Sequence, residues 1–290
     1  MVAQTASVHK IRHHYSAGFI IWTIFKYFTL ILVSFTSVLP IVSCVITAFK
    51  SKTEYQNTNV MQLPKVWKLS NFAEAFQMAN MGRAFLNSLI ILVFVLLGSI
   101  LIGTSLAYAL NRFKFIGNEL IRNLFTFAAL LPGIAMQVST YSIMSNLHLI
   151  NHLYGYIFLM MGTDVISIYI FIQYYENLPV SLDESAILDG ANYFQIYWHI
   201  LLPLLKPAIV TCIILKGANT YNEYYCAHLY LQKPELCTVA ISLYTFTGPM
   251  GNQYNYICAG VIISLLPALI VFILCQDQIY NGIAAGAVKG

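Results

Sequence analysis

Apolar residues gather into six long runs separated by polar stretches, over about 19–49, 84–111, 123–145, 153–175, 200–227 and 256–280. Crossing a bilayer takes roughly 20 apolar residues in a helix, and each run is long enough. In hydrocarbon only a helix or a closed barrel satisfies its own backbone, and these runs lack the alternation of a barrel. The pattern therefore predicts an all-α integral membrane protein with six transmembrane helices, over 19–290, preceded by a polar segment, 1–18. The first run is far longer than the apolar core of a signal peptide and has no A-x-A site, so it reads as a retained span. Pro40 marks a kink or boundary in it, Pro132-Gly133 breaks the third run, and Asp164 interrupts the fourth. Of the connections, 50–83 is long enough for a small capping element. The stretch 228–255 reads as a loop with room for one short helix.

Composition agrees. Of 290 residues 59% are hydrophobic and 9% charged, against about a quarter charged in an ordinary soluble domain. The net charge of +4 is dispersed, with no basic cluster of the kind that binds nucleic acid. The six cysteines form no C-x-x-C pair and mostly sit inside apolar runs as small fillers; only Cys226 and Cys237 are placed to meet outside the membrane. The only glycine pair near P-loop spacing, Gly98 and Gly103, lacks the lysine and lies in mid-span, so no ATP site is read here. No nucleophile–base constellation and no metal-ligand spacing appears, which leaves no catalytic residue to name.

One segment breaks the apolar rule. Asp183, Glu184 and Asp189 are three of only eleven acidic residues, and they fall within seven positions. Ser181 with Glu184 fits a capping box opening a short helix, with Asp183 and Glu184 at its positive end. Ala186 and Leu188 continue it, and Gly190 ends it through a left-handed turn before Ala191. The stretch from Tyr193 to His199 then forms a second amphipathic piece before Pro203. The product is a helix–turn–helix on the membrane surface with a small exposed apolar face: a knob that needs a socket, or an interfacial helix resting on headgroups.

Ionisable groups inside the runs are few. Asp164, Lys216 and Glu223 are each costly in lipid and so face a partner helix or a watery cavity. Lys216, Asn219 (or Thr220) and Glu223 recur at helical spacing of three and four, with Asn222 beside them. Two readings stand: a polar stripe along a translocation path, or an interhelical ion pair of Asp164 with Lys216 that orients the bundle. The 20 tyrosines and 18 phenylalanines suit interfacial belts and helix packing. His148, His152, His199 and His228 lie near span ends, where a solvated imidazole is ordinary. Lysine and arginine are shared so evenly between the two sides that charge does not orient the chain.

The polar segment resembles the EAA loop of binding-protein-dependent ABC importer permeases, whose pattern is E-A-A, three residues, G, nine residues, I, one residue, L-P. Here Glu184-Ser185-Ala186, Gly190, Ile200 and Leu202-Pro203 keep every spacing, with Ser185 for one alanine. Leu202 to Ala208, Tyr221-Asn222-Glu223-Tyr224 and the tail Gly286 to Gly290 look like the sugar-transporting branch, in particular the six-span partner of the maltose-transport type. The resemblance implies that 176–199 is a cytoplasmic coupling loop and that Asp183, Glu184, Ser185, Ala186, Leu188, Asp189, Gly190 and Ala191 engage an ATPase. It implies two ATPase subunits carrying ATP and magnesium, a second homologous permease, an extracytoplasmic solute-binding protein, a sugar substrate, and a prokaryotic cell membrane with both termini cytoplasmic. Glu184 either completes its helix cap or pairs with a basic residue of the ATPase. The rival expectations are a peptide or ion importer and an ion-coupled secondary transporter using Asp164, Lys216 and Glu223.

Overall fold

The computed structural model of the chain describes residues 17–162, 165–248 and 252–287, and every regular element among them is helical. Asp164, the segment 1–16 and the end of the Gly286–Gly290 tail lie outside the described residues. Three helices are long and apolar enough to cross a membrane alone: α1 (Ala17–Ala48), α4 (Met81–Arg112) and α14 (Tyr254–Ala287). Three more stretches qualify only as bent pairs. These are α5 (Asn118–Leu130) with α6 (Gly133–Asn146) at 107°, α7 (Leu153–Met161) with α8 (Val165–Glu176) at 44°, and α10 (Tyr193–Leu204) with α11 (Lys206–Asn222) at 71°. Counting each pair as one crossing gives up to six spans.

The bends have local causes. Pro132 pushes Leu131 into an extended conformation (φ −75°, ψ 130°), which ends α5 and leaves the pair far more sharply folded than a simple kink. Leu205 departs from helical torsions (ψ 1°) where Pro207 withholds an N–H, so the expected continuous run over 200–227 is instead two helices at an angle. It also stops early, at Asn222. Pro40 is not a boundary: α1 runs through it as one helix, as helices crossing lipid tolerate where neighbouring groups absorb the freed carbonyl.

α4 is the spine. Glycines let its neighbours close in: a Cβ at Gly98 would lie 1.9 Å from Met161 Cε of α7, and one at Gly103 would lie 3.0 Å from the Phe171 ring of α8. By chain order the crossings alternate, so Arg112, α9 (Ser181–Leu188) and the start of α11 gather at one end. At the other end lie α2 (Lys52–Asn57), α3 (Ser70–Met78), α12 (Tyr225–Tyr230) and α13 (Val239–Ser242). The predicted capping element in 50–83 is thus two short helices. Buried Asn71 donates to the Ala48 and Lys50 carbonyls at 2.7 and 2.8 Å, closing the open end of α1. Tyr256 donates to Glu74, tying α3 to α14, and this bond holds the Glu74 carboxyl below its ordinary pKa. The stretch 228–255 holds more helix than expected: part of α12, α13 and two 3₁₀ turns.

None of the six cysteines forms a disulfide. The pair that meets is Cys44 and Cys258, whose thiol and carbonyl lie 3.8 Å apart between α1 and α14, while Cys226 instead accepts from Gln137.

Gly155, on α7, has no room for a side chain, since a Cβ there would sit 2.2 Å from the Leu149 carbonyl oxygen. Gly155→Ala is expected to cost about 1–3 kcal/mol through forced backbone movement. Gly133→Ala, where nothing lies within 4 Å, is the neutral control. Thermal unfolding of the two variants in nanodiscs checks this, and equal melting refutes it.

Candidate functional site

The segment 176–199 is mounted on the bundle by two arginines, Arg112 and Arg122. Arg112, last residue of α4, donates to the Leu178 carbonyl at 3.0 Å and the Tyr175 carbonyl at 3.4 Å. Its Nε lies 2.9 Å from Asp183 Oδ2, an ion pair with the angle off the line of a hydrogen bond. Both side chains are about nine-tenths buried, at 8% and 10% exposure. Arg122 of α5 reaches Glu176 at 3.4 Å and the Leu110 carbonyl at 2.9 Å, so α4, α5 and α8 are joined beneath the segment.

Below α9 lies an aromatic platform. Tyr108 of α4 packs on Tyr175 and Tyr197 at 5.8 and 5.7 Å between ring centres, and edge-on to Phe113, which in turn meets Tyr193. The Tyr197 hydroxyl lies 2.7 Å from Thr104 Oγ1, a buried link back to α4. Each such aromatic pair contributes about 0.5–1.5 kcal/mol beyond simple burial. The segment is thus braced from several sides.

α9 itself presents two faces. Asp183 and Ala186, three apart, turn into the bundle and are buried, and Ala191 is half-buried. Glu184, Ser185, Leu188, Asp189 and Gly190 are exposed; Leu188 is 88% exposed and Ile187 45%. The Glu184 carboxylate engages no group among the described residues. The expected capping box at Ser181 is not formed: Val180 is the N-cap and no side chain caps the helix. The reason is that Asp183 is drawn inward to Arg112, which sets the start of the helix by burial of a charge pair rather than by a local serine bond. A complete capping box exists one element later. Asn192 and Gln195 exchange bonds of 2.9 Å in both directions to open α10. The sequence carries that signal (an Asn three residues before a Gln) and it passed unread. Gly190 behaves as expected, at φ +88°, with Gly190 N–H on Ile187 and Ala191 N–H on Ala186 closing a Schellman motif.

A rigidly braced, membrane-edge helix with an exposed apolar tip is the geometry that the motif spacing led one to expect. The description "Binding-protein-dependent transport system inner membrane component" matches residues 99–286, which includes α9 and most of the bundle. The chain belongs to this family. It is similar to the probable starch degradation products transport system permease protein AmyC of Thermoanaerobacterium thermosulfurigenes, at 32% identity over 260 residues, covering 89% of this chain and 94% of that protein. It is also similar to the maltodextrin transport system permease protein MalD of Streptococcus pneumoniae, at 29% identity with 91% and 94% covered. Among solved structures, a bacterial ABC transporter involved in the import of the acidic polysaccharide alginate shares the fold. The TM-score is 0.80 at 22% identity, over 91% of this chain and 98% of that one.

The second group of candidate residues in this permease is not one stripe. Lys216 is half-buried and lines a narrow gap with Ser99, Ser167 and Phe171, so it faces α4 and α8 of its own bundle. Asn219, one turn on from Lys216, and Asn222 are exposed. Glu223 lies past the end of that helix (ψ 109°), and its carboxylate accepts the Cys226 N–H at 2.9 Å, anchoring the start of α12. Regular spacing failed here because the helix stops one residue before Glu223. The structure brings together Asp183, Arg112 and the aromatic platform, and it takes Glu223 off the helix that carries Lys216, Asn219 and Asn222.

Proposed function

We propose that this chain is the permease through which a sugar or oligosaccharide, delivered by an extracytoplasmic binding protein, crosses a prokaryotic cell membrane at the expense of ATP hydrolysed by partner subunits. The observation that carries this reading is α9, with a free apolar tip at Leu188 and a root fixed by the buried Arg112–Asp183 pair. A lever needs both: a tip that a partner grips, and a root that does not yield. In this reading α9 is the cytoplasmic coupling helix, six spans place both termini in the cytoplasm, and ATP and magnesium reside on two ATPase subunits. A second homologous permease closes the pathway, covering the exposed faces of α5 and α6. Movement of the ATPases swings α9, and with it α4 and α10–α11, so that the cavity faces alternate sides. Asn219 and Asn222, on the exposed side of α11, offer hydrogen bonds to sugar hydroxyls along that path. Lys216 is assigned instead to holding the bundle together. The sugar assignment is supported by the names of relatives such as AmyC and MalD.

The test is transport in proteoliposomes holding the chain, its co-purifying ATPase and the second permease, with the binding protein outside. Uptake of a neutral oligosaccharide that needs ATP supports the proposal. Uptake that follows an ion gradient with the ATPase omitted refutes it.

A further inference from the structure

At the end of the chain opposite α9, the residues that follow α1 turn back on it. The backbone N–H of Lys68 donates to the Phe49 carbonyl at 3.0 Å, and the Trp67 ring packs on the Phe49 ring at 5.1 Å between centres. Phe49 directly follows α1, a helix long and apolar enough to cross a bilayer. Residues 66–69 are thereby held at the level where that helix leaves the hydrocarbon. The loop that leads to them is pinned from within. Lys50, fully buried, donates to Thr58 Oγ1 at 3.2 Å and to the Asn59 carbonyl at 2.7 Å. Glu54 of α2 accepts the Lys65 N–H at 2.6 Å, and Pro64 is buried.

This fixed backbone presents apolar side chains outward. Leu63, Val66, Trp67 and Leu69 are each between 56% and 72% exposed, and they fall within seven positions. The exposed Lys65 and Lys68 alternate with them. Glu54 is engaged by the Lys65 N–H and Glu74 by the Tyr256 hydroxyl. Glu74 is near enough to Lys68 for attraction, yet neither Lys65 nor Lys68 closes an ion pair among the described residues. A contiguous apolar patch on a pinned backbone marks a surface that is covered in the working protein. Three features here match a lipid cover. The patch sits at the end of a bilayer-crossing helix. Its tryptophan has the apolar body and N–H tip that suit the headgroup layer. Its lysines can lay their stems along apolar surface while their ammonium groups reach lipid phosphates.

We propose that Leu63–Leu69 is a lipid-interface anchor, lying in the headgroup layer of the leaflet opposite α9, with Lys65 and Lys68 holding the phosphates of anionic lipids. It fixes the depth of the far end of α1, giving the bundle a stationary point on the side away from α9. The inference needs α1 to cross the bilayer and is independent of the solute carried.

The experiment places the full chain, with Trp67 as its sole tryptophan (Trp22→Phe with Trp198→Phe), in nanodiscs that contain brominated phosphatidylglycerol or brominated phosphatidylcholine. Bromine near the headgroup end of the acyl chain is expected to quench Trp67 fluorescence more strongly than bromine near the chain end. Half-quenching is expected at an at least about fivefold lower content of phosphatidylglycerol than of phosphatidylcholine, the scale of one lysine at an anionic surface. Lys65→Gln with Lys68→Gln keeps both backbone N–H groups; it is expected to remove that preference while leaving the quenching by phosphatidylcholine. Absence of quenching by any brominated lipid overturns the anchor, and equal quenching by the two headgroups overturns the phosphate contacts. A benzophenone side chain at position 63 of the otherwise unaltered chain, photolysed in cell membranes with the whole transporter assembled, reads the same surface without replacing a tryptophan. An adduct of lipid mass is the expected product. An adduct only to the second permease or to the binding protein overturns the proposal.

Discussion

Arg112→Ala is expected to lower the stability of the chain by about 3–5 kcal/mol, the usual cost of breaking one side of a buried ion pair. Asp183 is 7% exposed, and among the described residues its carboxylate has no hydrogen-bond donor to take over when the guanidinium is gone. The same variant frees the Leu178 and Tyr175 carbonyls, so the root of α9 loses three attachments at once. Uptake should fall in parallel, because a lever with a loose root transmits nothing. The double variant Arg112→Leu with Asp183→Leu separates charge from attachment. Replacing both charges by apolar groups is often neutral or stabilising, so melting should recover while transport does not. Thermal unfolding in nanodiscs and uptake by the reconstituted complex give both readouts. An Arg112→Ala chain that melts with the wild type would show that the pair contributes nothing to the mounting.

Leu188→Asp is expected to have the opposite profile. At 88% exposure Leu188 supports nothing inside the chain, so melting should not move. If α9 is the coupling helix proposed above, Leu188 is the residue a partner pocket would bury. Loss of such an anchor costs at least about 2 kcal/mol, or roughly 30-fold in affinity for the ATPase. Co-purification of the ATPase and ATP-driven uptake should both collapse. Glu184→Gln removes a charge with no partner among the described residues; full coupling in that variant would exclude an ion pair with the ATPase. Intact ATPase association in Leu188→Asp would remove α9 from the contact altogether.

The two variants differ in a way that the residue pattern could not foresee. Adjacent acids, Asp183 and Glu184, look alike in sequence, yet one is buried against α4 and the other exposed. Which acid turns inward depends on where Arg112 ends up, and Arg112 belongs to a helix far away in the chain. The misread capping box at Ser181 has the same origin, since a local bond worth about 1 kcal/mol yields to the pairing of a buried charge. The helical spacing of Lys216, Asn219 and Glu223 breaks at its last member for a different reason, because α11 stops at Asn222. Pro40 does not end its helix, because a proline in an apolar run can be carried by a continuous helix.

What the sequence determined by itself is local. Hydrophobic runs long enough for a bilayer, the proline and glycine breaks at Pro132 and Gly190, and the spacing from Glu184 to Pro203 all follow from backbone torsions and from solvation of nearby residues. These need no knowledge of the rest of the chain. The tertiary structure alone decided which acid is braced, how sharply the broken helices turn, that Cys44 meets Cys258 while Cys226 meets Gln137, and that Asn87 and Asn151 pin the backbone of a distant loop. Each of those joins groups remote in sequence, and burial between helices fixes them with energies that no stretch of residues carries alone.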